Sequence, residues 1–266
     1  MNKYLKVAID AAVKAGDAIQ LASTKVEEIE IINKNVSDYV SEVDQQSEKT
    51  ICGLIAQHFP SHLILGEEYG QSGGDDQDYQ WIIDPLDGTT NFLRSIPHFA
   101  VSIAMLYQNE LEIAVIYDPA KGDLFYAQKG QGAFLNDVKI SVSQHQQLQG
   151  ALLATGIPFN QNTQKNNSEF IATLEQFMSA NTSGVRRLGS AALDLAYVAC
   201  GRYEAYWEAN VKPWDIAAGI LLVTEAGGVV SDLQGGDDYL HPGNIIAAGE
   251  NIYNEILAVT RQCYLN

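Results

Sequence analysis

Asp84 and Asp87 stand three residues apart in WIIDPLDGTTNF (81–92), where an apolar run ends, with Pro85 between them and Gly88, Thr89, Thr90 and Asn91 behind. A proline fixes φ and removes a ladder donor, so the two carboxylates are expected to leave a strand end along a rigid bend. Hard cations such as Mg²⁺ take oxygen ligands in near-octahedral geometry, and two of them can share a bridging carboxylate and a backbone carbonyl, which Leu86 is placed to supply. DPLDG also reads as a plain turn, because Asp, Pro and Gly are turn formers that need no metal. Two more carboxylates bear on the choice: Glu67 follows LILG at another strand end, and Asp215 follows the aromatic in VKPWD at a helix start. Singly, Glu67 is a solvated loop residue and Asp215 an N-cap. Jointly they point to a cation site, since carboxylates clustered without a cation raise one another's pKa at a cost.

The formal charge of -17 disfavours direct attraction to nucleic acid or to an anionic membrane. It would repel phosphates too, unless divalent cations invert the field of an acidic pocket. Charges every few residues in MNKYLKVAIDAAVKAGDAIQ argue against a signal segment, and no apolar run approaches the ~20 residues that span a bilayer. A cytoplasmic protein is expected. Cys52, Cys200 and Cys263 are scattered without a CxxC, which suggests neither a disulfide framework nor a zinc site. His58, His62, His98, His145 and His241 show no ligand spacing.

The elements that must hold these residues follow from periodicity. Leu5, Ile9, Ala12, Val13 and Ile19 mark one face of a helix over 3–22, and a second helix is expected from Asp44, carrying Ile51, Ile55 and Phe59 and ended by Pro60. QSGGDDQD reads as a loop, YQWIID as a strand, and FAVSIAMLYQNELEIAVIYD and DLFYAQKGQGAFLND as strand pairs. Beyond them come a strand in GALLATG, a helix over 167–179, an Ala-rich helix closed by Gly201, the strand YEAYWE, a helix opened by Asp215, strands at VVSD and NIIAAG, and a final helix near 251–261. Alternating helices and strands indicate a layered α/β fold. The longest linker is the polar stretch 160–168. One domain over 1–266, with subdomains of about 1–148 and 149–266 and a cleft between them, is expected.

GEE (66–68), WIIDPLDGTTNF (81–92) and KPWDIAAG (212–219), in this order, resemble the inositol monophosphatase family of magnesium-dependent, lithium-sensitive phosphatases. SGVRRLGSAALDLAYVACGRYEAYWE is similar to the bacterial members of the extragenic-suppressor type, which also act in ribosomal-RNA transcription antitermination. The resemblance implies an αβαβα sugar-phosphatase sandwich, a homodimer, and two to three Mg²⁺ per active site. It implies that Glu67, Asp84, the Leu86 carbonyl and Asp87 hold one cation, that Asp84, Asp87 and Asp215 hold a second, and that Glu67 with waters holds a weaker third. Asp44 and Thr89 would orient and deprotonate the attacking water. That is consistent with the chemistry of phosphate monoesters, because a hydroxyl hydrogen-bonded to a carboxylate can relay the water's proton. If Gly88, Thr89 and Thr90 begin a helix, their N–H groups face the phosphate, which permissive Gly88 lets approach.

By position in the family pattern, Asp87 and Asp215 also lie against substrate, Gly189, Ser190, Ala191 and Glu208 face the polyol hydroxyls, and Arg186 is expected near the same mouth, contributed either by the same subunit or by the partner subunit. As plain structure, Glu208 is a surface strand residue, and Arg186 and Arg187 are interface or surface ion pairs. Ile157, in ATGIPF, departs from the family, many of whose members have a polar substrate contact there. Three functions compete: a phosphomonoesterase on inositol 1-phosphate and similar small polyol or sugar phosphates; a partner of RNA polymerase and antitermination factors; and a relative acting on fructose 1,6-bisphosphate or 3'-phosphoadenosine nucleotides. The chain lacks room for the long insertions of the nucleotide-specific kind.

Overall fold

The computed structural model describes residues 2–28, 31–35, 38–158 and 167–264. Helix α1 (Lys3–Ala22) leads to the hairpin β1 (Ile31–Asn35) and β2 (Asp38–Ser41), helix α2 (Glu42–His58), and strands β3 (His62–Gly66), β4 (Gly70–Gly73) and β5 (Asp76–Asp87). A one-turn helix α3 (Thr89–Leu93) precedes β6 (Ala100–Tyr107), β7 (Glu110–Asp118), β8 (Asp123–Gln128), β9 (Gly132–Leu135) and β10 (Val138–Lys139). The second half runs β11 (Leu152–Thr155), α4 (Asn167–Ser179), β12 (Gly184–Arg186), α5 (Ala191–Ala199), β13 (Ala205–Glu208), α6 (Pro213–Glu225), β14 (Gly228–Ser231), β15 (Ile245–Gly249) and α7 (Glu250–Cys263).

Eight strands form one sheet in the order β10-β9-β8-β7-β6-β5-β3-β4, and five form another in the order β12-β11-β13-β15-β14. Period-2 alternation assigns each face. In the large sheet Trp81, Ile83, Ile103, Met105 and Val115 pack with α1 and α2, whereas Ile82, Ala104, Ala114, Ile116 and Phe125 pack with α5 and α6. In the small sheet Ala154, Tyr206, Ile245 and Ala247 meet α5 and α6 from the other side, and Leu153, Trp207, Ile246 and Ala248 turn toward α4 and α7. The order of layers is therefore αβαβα, as the motifs imply.

Several details differ from the sequence expectation. On α1 the buried stripe is Leu5, Val7, Ala8, Ala11, Ala12, Ala15, Gly16 and Ile19, with Ile9 and Val13 only half-buried. Small residues let the helix approach the sheet closely: a Cβ on Gly16 would stand 2.4 Å from the Tyr117 ring. QSGGDDQD is not a plain loop, because β4 and the start of β5 occupy it. Pro85 bends the ladder without ending it. Asp84 pairs with Ser102 and Asp87 with Ala100, so β5 has one residue more than β6 there and bulges. Helix α2 begins two residues before Asp44, and α6 two before Asp215. Each acid is therefore the third helical residue and not the cap. Most of the polar stretch 160–168 lies outside the described residues.

Candidate active site

The bulge at Pro85 sets the positions of Asp84 and Asp87. Asp84 is buried, and its Oδ1 accepts the Leu86 N–H at 2.9 Å, which locks the side chain against the bend. Asp87 lies one turn of chain further, and its Oδ2 accepts from Ser190 Oγ at 2.6 Å and from the Ala192 N–H at 2.8 Å. Those donors belong to the start of α5, so a helix N-terminus faces a carboxylate, as the helix dipole favours. Glu67 follows β3 directly, and its N–H continues the parallel ladder to the Ile83 carbonyl at 3.2 Å. Asp215 belongs to the first turn of α6, where its Oδ2 accepts the Lys212 N–H at 2.7 Å. Ser102 of β6 donates to the Trp214 carbonyl at 3.3 Å and ties that turn to the large sheet.

Electrostatics shows that these groups share one space. Burial, followed by the charges of Glu67, Asp87 and Asp215, holds Asp84 well above the ordinary carboxylate range. Burial, then Asp87 and Glu67, does the same to Asp215. Asp87 is pushed up to about 6 by burial, against the pull of Ser190 and the α5 amides. Among the described residues no group of three or more His, Cys, Asp or Glu side chains stands arranged to hold a metal ion. Donor chemistry decides the fit instead. Every candidate ligand is a hard oxygen, Asp84 and Asp215 each have one oxygen held by a backbone amide while the other carries no protein hydrogen bond among the described residues, and the charges disfavour one another until a cation intervenes. The set fits Mg²⁺.

Thr89 and Asp44 meet across 45 residues of sequence. Thr89 Oγ1 is 2.9 Å from Asp44 Oδ1 and 3.1 Å from the Leu86 carbonyl. The hydroxyl has one proton to give, and its lone pairs remain to accept a hydrogen from water. Asp44 Oδ2 is held by the Ser41 N–H at 2.8 Å and by Ser41 Oγ at 2.5 Å, a capping box that orients the carboxylate. Burial raises the Asp44 pKa above the usual value, and the hydrogen bonds from Ser41 and Thr89 offset part of that rise. Gly88 caps α3 at φ 93° with no side-chain cap bond, and a Cβ there would meet the His98 carbonyl at 3.0 Å.

The residues assigned to the polyol come from three elements and the segments beside them: β12, the start of α5 and the end of β13. Gly189 has φ 86°, Ala191 begins α5, and Ser190 between them is buried with its hydroxyl engaged on Asp87. Thr90, Arg186 and Ile157 are exposed, Arg186 at the end of β12, an edge strand. Glu208 ends β13, accepts from Tyr206 Oη at 2.5 Å, and is pushed up to about 7 by burial. Arg187 pulls it the other way and Asp87 adds to the rise.

Three functional-looking groups were not singled out from sequence. Ser41 orients Asp44, much as Ser190, assigned above to the polyol side, orients Asp87. Asp194, buried on α5, has an Oδ1 without a hydrogen-bond partner among the described residues, and burial, then Glu208 and Asp87, raise its pKa well above normal. Glu48, also buried, accepts two backbone N–H bonds from the chain just after Glu67. Its spacing of four from Asp44 in DQQSE was the available signal, since such pairs share a helix face.

The histidines lie away from the carboxylates' hydrogen bonds: His62 Nδ1 accepts from Trp81 Nε1 at 3.1 Å, and His98 lies edge-on to Tyr197. Among the described residues no helix is long and apolar enough to cross a membrane.

The model of the family described as "Inositol monophosphatase family" matches residues 1–265. "Nus factor SuhB" of Pseudomonas aeruginosa is 45% identical over 259 residues, covering 97% of this chain and 95% of its own. The crystal structure of the extragenic suppressor protein suhB of Bartonella henselae superposes with a TM-score of 0.93 at 41% identity, covering 98% of this chain and 99% of that one. A solved IMPase/NADP phosphatase complexed with Mg²⁺ and phosphate is 25% identical, with a TM-score of 0.77 and coverage of 91% and 89%. With the carboxylates of β5, the turn after β3 and the start of α6 sharing one field, Thr89 bonded to Asp44, and residues 1–265 of the chain matched by the family model, this chain belongs to the inositol monophosphatase family.

Proposed function

We propose that this protein is a Mg²⁺-dependent, lithium-sensitive phosphomonoesterase that hydrolyses inositol 1-phosphate and related small polyol or sugar phosphates. The observation that carries the reading is the Thr89–Asp44 hydrogen bond standing beside four carboxylates on three separate elements. Glu67, Asp84, the Leu86 carbonyl and Asp87 would hold one cation; Asp84, Asp87 and Asp215 a second; and Glu67, with waters, a third. The cations these residues would hold would supply a lowered pKa for the attacking water and charge to offset the phosphate.

The chain's own groups do the rest. Thr89 Oγ1 takes the proton of the attacking water as its own proton passes to Asp44 Oδ1, and burial makes Asp44 a stronger base than a solvated carboxylate. The N–H groups of Gly88, Thr89 and Thr90 receive the phosphate. Gly189, the Ser190 and Ala191 backbone, Arg186 and Glu208 line the polyol side. With its pKa near 7, Glu208 can donate to a hydroxyl as well as accept from one at neutral pH. Phosphate release from inositol 1-phosphate tests the reading: it should require Mg²⁺ and fall with Li⁺, and full activity in excess EDTA overturns it.

The relatives named Nus factor SuhB favour a second role on the same fold. We infer a cytoplasmic homodimer that also binds RNA polymerase and antitermination factors through the surface bearing exposed Arg186. Arg186→Ala should reduce pull-down of that machinery or shift the sedimentation profile while leaving Mg²⁺ binding intact. Unchanged association in both assays with lost turnover would place Arg186 in the active site alone.

A further inference from the structure

Helix α2 presents one buried face to the cation site. Asp44, Ser47 and Glu48 are at positions i, i+3 and i+4, and all three are at most 4% exposed. Asp44 receives Thr89. Ser47 Oγ donates to the Pro85 carbonyl at 2.8 Å, inside the bulge that carries Asp84 and Asp87. Glu48 accepts the Glu68 N–H at Oε2, 2.8 Å away, and the Tyr69 N–H at Oε1, 3.1 Å away. Removing a carboxylate from water is costly unless the protein supplies strong hydrogen bonds in exchange, and two backbone amides on one carboxylate are such bonds. They come from the two residues immediately after Glu67. On the other side of Glu67, a Cβ on Gly66 would stand 2.1 Å from Glu48 Oε1, so the glycine is what admits the carboxylate. Glu67 is thus gripped from both sides by contacts to one side chain.

We propose that Glu48 is a positioning residue of the cation site, which clamps the 66–69 turn so that the Glu67 carboxylate faces Asp84 and Asp215. This rests on the Mg²⁺ reading above. Glu48 is not among the proposed ligands; it acts through the backbone of its neighbours. Groups that orient metal ligands typically contribute about 10- to 100-fold in affinity.

The test is Mg²⁺ binding by calorimetry on the parent, Glu48→Gln, Gly66→Ala and the double variant, with folding checked by circular dichroism. Gln has the shape of Glu but offers an NH₂ where one amide needs an acceptor. Gly66→Ala displaces the carboxylate while leaving every charge in the sequence. Each single variant should bind Mg²⁺ about 10- to 100-fold more weakly. The double variant should lose little beyond the worse single one, because both act on one contact. Turnover of Glu48→Gln should recover toward the parent's at saturating Mg²⁺, which a general loss of structure would not allow. Variants that bind Mg²⁺ like the parent, or additive losses, overturn the positioning role and leave the phosphatase reading standing. Failure of both single variants to fold also overturns it, by assigning Glu48 to the fold. A parent that does not bind Mg²⁺ overturns both readings.

Discussion

Replacing Asp44 with Asn separates the proton relay from the helix cap, because the two roles use different oxygens. Oδ1 faces Thr89, and Oδ2 faces the Ser41 N–H and hydroxyl. An amide has one oxygen. If it stays on Ser41, the NH₂ turns to Thr89 and the proton acceptor is gone; if it stays on Thr89, the NH₂ opposes the Ser41 N–H. In either orientation the base is lost, and general-base contributions predict a fall in kcat of about 10²- to 10⁴-fold. The cap should weaken by about 1 kcal/mol, a fall in Tm of about 2–4 °C for a chain of this size. Mg²⁺ affinity by calorimetry should change much less, since Asp44 is not among the proposed ligands. Ser41→Ala is the control. It removes the Ser41 hydroxyl bond to Asp44 and the Val43 N–H bond to Ser41, but leaves Thr89 on Asp44. It should lower Tm about as much as Asp44→Asn while kcat stays within a few-fold of the parent. Near-parental kcat in Asp44→Asn, or equal kcat losses in the two variants, would refute the relay and reduce Asp44 to a capping residue.

Asp87→Asn should weaken Mg²⁺ binding and turnover together, in contrast to Asp44→Asn; calorimetry and phosphate release on the same preparation distinguish the two. His98 makes stability depend on pH. Burial, then Lys121 with its Nζ 3.5 Å from Nδ1, lowers its pKa from 6.5 to about 4. The unfolded chain binds the proton first, so the His98 contribution to stability is unaffected above about 6.5 and falls as pH drops toward 4, by up to about 3 kcal/mol. Denaturant midpoints between these pH values should show that slope, and His98→Phe should flatten it; an unchanged slope rejects His98 as its source.

Layer order was legible in the sequence because it depends on local periodicity. Odd and even residues of WIIDPL and of AVSIAMLY reach opposite faces of a strand, and both faces of the large sheet and of the small one are apolar, which requires helices on every side. The acids were legible too, because their types and spacing stand out beside Gly66, Pro85, Gly88, the paired threonines Thr89 and Thr90, and Trp214. What the sequence alone left undecided is how each acid is held. Nothing local says that Pro85 makes a bulge and not a strand end, since that depends on β6 pairing with both Asp84 and Asp87. Nothing local says that Ser190 engages Asp87 across 103 residues, that Ser47 holds the Pro85 carbonyl across 38, or that Glu48 accepts the amides after Glu67. A hydrogen bond specifies a partner only once packing has brought donor and acceptor within about 3 Å and removed water from both. Residue type therefore determined which groups this protein brings to the site, and the packing of α2 and α5 against the large sheet decided that Asp44 meets Thr89 and that Asp87 is held by Ser190 and the Ala192 amide.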